Sequence, residues 1–265
     1  MASCQKLGSN QIMTYADYVA EIEALYLSQG GAVPAPVPEL TAALPFAPRR
    51  ILIASPHPDD ECLMAGAALR LREEAKAEVG VLPFSYGSNL SRREPRRREL
   101  FEALQVLGFE LYDFREEGSL DELKEVEIGE ALARTQPDLV IAPHREDAHP
   151  THIRCSDALG RALRRHVNQR GAPVLLLESE YWHPLRDPNL KVVLSSATVA
   201  RMGEALLRHA GEVARNPYHL TLPAWLMDQE RRGSEILQGM GTQLAGRVVF
   251  SQLYRMSLIS PGASS

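Results

Sequence analysis

The chain has 265 residues, 45% hydrophobic and 24% charged, which suits a soluble globular protein able to bury a sizeable core without disulfide staples. A formal net charge of −5 excludes a general nucleic-acid binder, which carries a basic excess, and no apolar run approaches the roughly 18 residues of a membrane span. Three scattered cysteines, Cys4, Cys62 and Cys155, contain no CxxC pair; they argue against a Cys-based structural zinc and point to a reducing cytoplasm.

Residues 1–48 form an N-terminal extension. It lacks the apolar segment of a signal peptide. Tyr15 to Leu27 carries apolar residues at helical spacing, and a Pro- and Gly-rich stretch to residue 48 follows as an extended linker. The extension is available to pack on a second copy, so a homo-oligomer is compatible with the sequence.

The main domain, residues 49–260, opens with ILIAS (Ile51 to Ser55), an apolar run expected to be a buried strand. A helix is expected over Glu61 to Ala77, then a strand over Val79 to Phe84. Ser91 and Glu94 make an S-x-x-E capping box, and the helix behind it should end at Leu107, before Gly108. Glu110 to Phe114 reads as a strand, Asp121 to Thr135 as a helix, Asp138 to Pro143 as a strand and Thr151 to His166 as a helix. Strands over Val174 to Glu178 and Lys191 to Ser195, helices over Val199–Arg215 and Trp225–Gln238, and a last strand, RVVFSQLY, complete the order. Alternating strands and helices imply an α/β fold: a three-layer, Rossmann-like domain with a mostly parallel sheet. Ligands of such sheets bind beyond the carboxyl ends of the strands.

Two segments concentrate the chemistry at such ends. PHPDDE, Pro56 to Glu61, follows the first strand, and PHREDAHPTH, Pro143 to His152, follows the fourth. A catalytic zinc takes three His or carboxylate ligands and keeps a fourth position open to water. His57 with the Asp59–Asp60 pair can supply two ligands and leave one carboxylate free. Of His149 and His152, one can bind metal while the other faces the open position. An Asp after a βα turn often only caps the next helix, so either segment alone is ambiguous. Both together point to a metal site. The glycine-rich fingerprint of dinucleotide binding is absent after the first strand.

His57-Pro58-Asp59-Asp60-Glu61 followed by Asp147-x-His149-Pro150-x-His152 resembles the PIG-L/LmbE-like family of zinc-dependent N-deacetylases. Arg96-x-x-Glu99-Leu100 leading to Leu107-Gly108, and Gln136 to Val140, are similar to the family's intervening segments. The resemblance covers about residues 49 to 180, and none of the N-terminal extension. It implies His57, Asp60 and His152 as metal ligands, Asp59 as general base, and His149 as the residue that stabilises the oxyanion. It also implies Arg96 as a substrate contact and an N-acetylated sugar or sugar conjugate as the small-molecule substrate. The chemistry agrees: zinc acidifies bound water, a free Asp59 can shuttle a proton, and a protonated His149 can share the oxyanion's charge. Ferrous iron or another divalent ion accepts the same ligands. One departure stands out: the family commonly has Asp where this chain has Thr151, which bears on the charge of His149.

Other features have plainer explanations. Arg92, Arg93, Arg96, Arg97 and Arg98 read mainly as a solvated helix face paired with Glu94 and Glu99, with Arg96 the one expected to reach an anionic group. Trp182, after the fifth strand, is a candidate sugar-stacking wall, although packing is the default for such aromatics. Glu61 suits the positive end of its helix, and His144 reads as structural. His166, His209 and His219 lie outside the motifs and draw no role. Cys62 and Cys155 read as small buried hydrophobes. Two other classes compete: a metal-dependent phosphoesterase, which would want a second metal, and a non-catalytic sugar or nucleotide binder, which has no need of a base beside its metal.

Overall fold

A computed structural model describes residues 13–29, 35–115, 122–239 and 247–262. The first strand, β1 (Arg50–Ser55), is buried on both faces, as its unbroken apolar run requires. β2 (Glu78–Pro83), β3 (Glu110–Leu111), β4 (Leu139–Pro143), β5 (Val174–Ser179), β6 (Leu190–Leu194) and β7 (Phe250–Ile259) complete a sheet of order β3-β2-β1-β4-β5-β7-β6. Strands β1 to β5 pair in parallel, while β7 runs antiparallel to both β5 and β6. This is the mostly parallel α/β sheet expected. Strand order reverses between β1 and β4, which pair directly, so the chain leaving their carboxyl ends flanks the crevice where ligands bind in such sheets.

The two faces of the sheet carry separate cores. Ile51 and Ile53 join one cluster, with α2 (Asp60–Glu74), α3 (Leu90–Leu107), α6 (Ser196–Leu206) and α8 (Tyr218–Gln238). Their alternate neighbours Leu52 and Ala54 join the other, with α4 (Glu125–Thr135) and α5 (Pro150–Arg170). The period of two along a strand thus divides one apolar run between two layers of helices. Cys62 and Cys155 are both buried.

The N-terminal helix α1 (Tyr15–Ser28) packs on α6 of its own chain. Its contact with α8 has a local cause. Pro223 lies inside α8 and has no N–H to give to the carbonyl four residues earlier, that of His219. The Tyr15 hydroxyl donates to that carbonyl at 2.5 Å, and the Tyr18 hydroxyl donates to the next, Leu220, at 2.8 Å.

Several boundaries differ from expectation. Asn89, not Ser91, caps α3: its side chain accepts the Ser91 N–H at 3.1 Å. β3 keeps only two residues of the expected five. The Val199–Arg215 helix is divided into α6 and a short α7 (Ala210–Val213), with His209 as the N-cap of α7. α8 starts at Tyr218, seven residues before the expected Trp225, and tolerates Pro223 because α1 supplies the missing donor. The linker contains a 3-10 turn at Leu40–Ala43, whose first backbone N–H groups donate to Glu74. The expected start of a helix at Asp121 lies outside the described residues.

Candidate metal and catalytic site

The turn after β1 places His57, and the first residue of α2 is Asp60. Asp60 Oδ2 accepts the backbone N–H of His57 at 2.9 Å and lies 3.2 Å from His57 Nδ1. The same oxygen lies 3.2 Å from Nε2 of His152, which arrives from the first turn of α5. Two segments about ninety residues apart in sequence therefore meet at one carboxylate oxygen. Bonds of about 2.0–2.2 Å to a common zinc put neighbouring ligand atoms about 3–3.5 Å apart, so these separations fit a shared ion. The imidazole nitrogens of His57, His149 and His152 also lie within 4.8 Å of one another.

The local field favours a cation. Burial opposes charge on His152, but Asp60 and Asp147 outweigh it and push its pKa up to about 10. Burial likewise opposes ionisation of Asp60, and His152 and His57 outweigh it, so its pKa falls well below the usual carboxylate range. Asp147 backs His152 from behind, its Oδ2 at 3.6 Å from His152 Nδ1. That carboxylate also accepts the backbone N–H of His149 at 2.7 Å and of Trp182 at 3.2 Å. The Tyr181 hydroxyl donates to the Asp60 carbonyl at 2.7 Å, and its ring meets His152 edge to face.

Asp59 takes no part in this convergence. It is buried, with φ 116°, a conformation that a side chain rarely adopts. Its N–H donates to Glu61 Oε2 at 2.9 Å, and its Oδ1 lies 3.7 Å from Arg96 Nη2. Burial first, then the charge of Asp60, push its pKa well above the usual carboxylate value despite Arg96.

His149 is the N-cap of α5, and its Nδ1 accepts the Thr151 N–H at 3.3 Å. Nδ1 therefore offers its lone pair to the helix, and the proton of the neutral ring sits on Nε2. Burial, then His152 and His57, hold its pKa below the ordinary histidine value. With Nδ1 accepting from the helix, Nε2 is the ring nitrogen left to act as a donor. Thr151 does not orient that ring through its side chain: its hydroxyl accepts from Arg154 at 3.2 Å.

A cavity of about 1120 Å³ opens over these groups, lined by His57, Asp59, Asp60, His149, His152 and Trp182 among others. Trp182 is 57% exposed and stacks beside His149, with centroids 6.3 Å apart. Arg92, Arg93 and Arg96 line the cavity as well, so part of the arginine run faces the site. Arg92 pairs with Glu99 at 3.3 Å. Arg96 is largely buried, 3.3 Å from Glu212 as well as close to Asp59. His144 is buried, its Nε2 2.7 Å from the His183 carbonyl, a structural bond.

The site holds two residues that sequence patterning passed over. His209 Nε2 lies 2.7 Å from Glu61 Oε1, with both side chains fully buried, and Glu212 pairs with Arg96. Both lie in or beside α7, far along the chain from either motif, and neither has a local spacing that marks it.

The fold and part of the sequence have counterparts among known proteins. Residues 52–163 match the family model described as PIG-L: GlcNAc-PI de-N-acetylase. N,N'-diacetylchitobiose deacetylase from Pyrococcus horikoshii is similar in fold, at 16% identity and TM-score 0.58, covering 94% of this chain and 95% of that one. A deacetylase of the A40926 pseudoaglycone is similar at 20% identity and TM-score 0.55, covering 78% and 97%. The 4-carboxy-2-hydroxymuconate hydratase from Pseudomonas putida is similar at 18% identity and TM-score 0.58, covering 82% and 98%. The last is a hydratase, so likeness at this level establishes the fold and leaves the reaction to the site. No helix among the described residues is long and apolar enough to cross a membrane. The stretch that matches the PIG-L family model, residues 52–163, is the one that holds His57, Asp59, Asp60, His149 and His152.

Proposed function

We propose that the protein is a metal-dependent hydrolase that removes an N-acetyl group from an amino sugar or sugar conjugate. One observation carries this reading: His57 Nδ1 and His152 Nε2 each lie 3.2 Å from Asp60 Oδ2, while the adjacent Asp59 lies beside Arg96 instead and lines the same cavity. The match to a de-N-acetylase family over that stretch supports it, as do the activities of the two deacetylases of similar fold.

His57, Asp60 and His152 are assigned to the metal, with zinc or ferrous iron as the ion. When bound, such an ion polarises the amide carbonyl and acidifies water. Asp59 takes a proton from the attacking water and delivers it to the departing amine nitrogen. His149 donates its Nε2–H to the oxygen that gains charge at the acetyl carbon. Its neutral form suits this task, because the positive end of α5 disfavours an imidazolium there. Trp182 offers an exposed face to a sugar ring, and Arg96 contacts substrate beside the base it pairs with.

The phosphoesterase reading wants a second ligand set beside the first. The other His, Cys and carboxylate group among the described residues, Glu61, Cys62 and His209, is buried and does not line the cavity.

The test compares wild type with Asp59→Ala for bound metal and for acetate release from a panel of N-acetylated sugars. We expect one metal per chain in both proteins, with release lost in the variant by about 10²-fold or more. Bound metal without acetate release from any N-acetylated sugar would overturn the deacetylase assignment.

A further inference from the structure

Asp59 is held by two chains of contact that both begin in the His209–Glu212 segment. The first reaches its backbone. His209 is fully buried, and its Nε2 donates to Glu61 Oε1 at 2.7 Å. The other oxygen of Glu61 accepts the Asp59 N–H at 2.9 Å. The second chain reaches its carboxylate. Glu212 Oε1 lies 3.3 Å from Arg96 Nη2, and the same nitrogen lies 3.7 Å from Asp59 Oδ1. The cap of α7 joins the two ends: His209 O accepts the Glu212 N–H at 2.9 Å.

A strained turn needs such support. At φ 116° Asp59 occupies a region that persists only where the surroundings over-determine it. Glu61 alone cannot do so, because a glutamate on the first turn of a helix has several rotamers open to it. Three buried groups hold the one that faces the Asp59 N–H: Ser55 Oγ donates to Glu61 Oε2 at 3.2 Å and Cys62 Sγ to Oε1 at 3.2 Å, and the His209 ring makes the shortest of the three contacts, at 2.7 Å. Arg96 in turn donates to the Pro58 carbonyl at 3.3 Å and the Tyr86 carbonyl at 3.4 Å, and Glu212 adds the anion that helps hold its guanidinium beside Asp59.

We propose that His209 and Glu212 are positioning residues for the base, His209 through Glu61 and the Asp59 backbone, Glu212 through Arg96 and the Asp59 carboxylate. The proposal rests on Asp59 being the base. It places part of the machinery outside the 52–163 segment, in a helix of four residues, Ala210–Val213, and its N-cap, His209.

A competing explanation treats Glu61, Cys62 and His209 as a second metal site, since their ligand atoms lie within 4.8 Å of one another. The His209–Glu61 separation of 2.7 Å is that of a direct hydrogen bond. The positioning reading therefore expects one zinc per chain, and the metal reading two.

The experiment uses the full chain in wild-type form and as His209→Leu, His209→Gln and Glu212→Gln. Hydrogen exchange at the Asp59 amide, zinc stoichiometry, and kcat and KM for acetate release are measured on each. In His209→Leu the Asp59 amide should exchange about tenfold faster or more. Its kcat should fall about 10- to 100-fold, with KM within about threefold and zinc still at one per chain. His209→Gln, which keeps a donor within reach of Glu61, should recover much of both. Glu212→Gln should lower kcat while leaving exchange at Asp59 unchanged, because it acts on the carboxylate alone. If His209→Leu does not fold, His209→Asn, whose amide falls short of Glu61, replaces it in the same comparison. Wild-type exchange and kcat in His209→Leu would overturn the proposal. So would equal loss in the Leu and Gln variants, or two zinc ions in wild type with one lost in His209→Leu. Should wild type release no acetate from any N-acetyl sugar, the deacetylase reading fails, and the exchange measurement still decides whether His209 holds the Asp59 backbone.

Discussion

Asp59 costs the fold stability by two routes. Its φ of 116° lies where a non-glycine residue loses about 1–3 kcal/mol, and its buried carboxylate sits against the charge of Asp60. A residue that opposes folding twice and lines the cavity is retained for what it does there. Asp59→Gly should therefore abolish acetate release and raise the thermal midpoint by about 2–4 °C for each kcal/mol of strain relieved. Melting curves followed by circular dichroism, with an acetate assay on the same samples, check both halves. A variant that melts lower and stays active would make Asp59 a structural residue. That the two carboxylates take different surroundings was legible in PHPDDE, because two adjacent carboxylates beside a histidine invite a division of labour. The strain was not, since the backbone angle depends on Glu61 being aimed by a histidine 148 positions away. For His149 the limit was similar. Its spacing from His152 was visible, but whether the ring caps a helix or carries a charge depends on where α5 begins, and Pro150 only narrows that choice.

At the scale of elements, the strands were the most legible, because an apolar run too short for a helix and bounded by turn residues has few other uses. β3 is the exception: after Leu111 the chain leaves the sheet, and the Tyr112 and Phe114 rings stack on each other. Helix ends were harder. Ser91 and Glu94 match a capping box, yet Asn89 two residues earlier captures the cap and extends the helix. α8 shows a tertiary contact overriding a local signal. A proline in the interior of a helix costs about 3 kcal/mol, and here the carbonyl it leaves open is taken by Tyr15, 204 residues away in sequence. Tyr15→Phe removes that donor and keeps the ring that packs over Gly203. The bond is part-buried, so its loss should cost about 0.5–1.5 kcal/mol, the net worth of an ordinary hydrogen bond, and lower the midpoint by about 2–4 °C per kcal/mol. Because Tyr218, Leu222 and Trp225 of the same helix line the cavity, KM for the sugar should rise as well. A Tyr15→Phe protein with wild-type melting and KM would mean that α1 merely rests on the domain.

For the whole molecule, the division of the sheet into two independently packed faces means that the fold does not depend on a metal for its core. The place proposed for the ion is at the reversal of strand order between β1 and β4, where two loops meet above a sheet that is already complete. Asp60 pairs with His57 and His152 at 3.2 Å, so its buried carboxylate has partners within the protein itself. Chelated protein should therefore stay folded, with a cooperative melt and an unchanged far-ultraviolet spectrum. Zinc added back binds the folded state alone and should raise the midpoint. At a free concentration 100 times Kd the gain is about 2.7 kcal/mol, or about 5–10 °C. Asp60→Asn should remove most of that rise, because both histidines converge on the oxygen whose charge the substitution cancels. Asp59→Gly should keep it, because Asp59 lies beside Arg96 instead. The pair of variants separates ligand from base without any assay of turnover. A full zinc-dependent rise in Asp60→Asn would move the metal to the His57, His149 and His152 cluster. Loss of the fold on chelation would mean that the loops beyond β1 and β4 are held together by the ion rather than by the sheet beneath them.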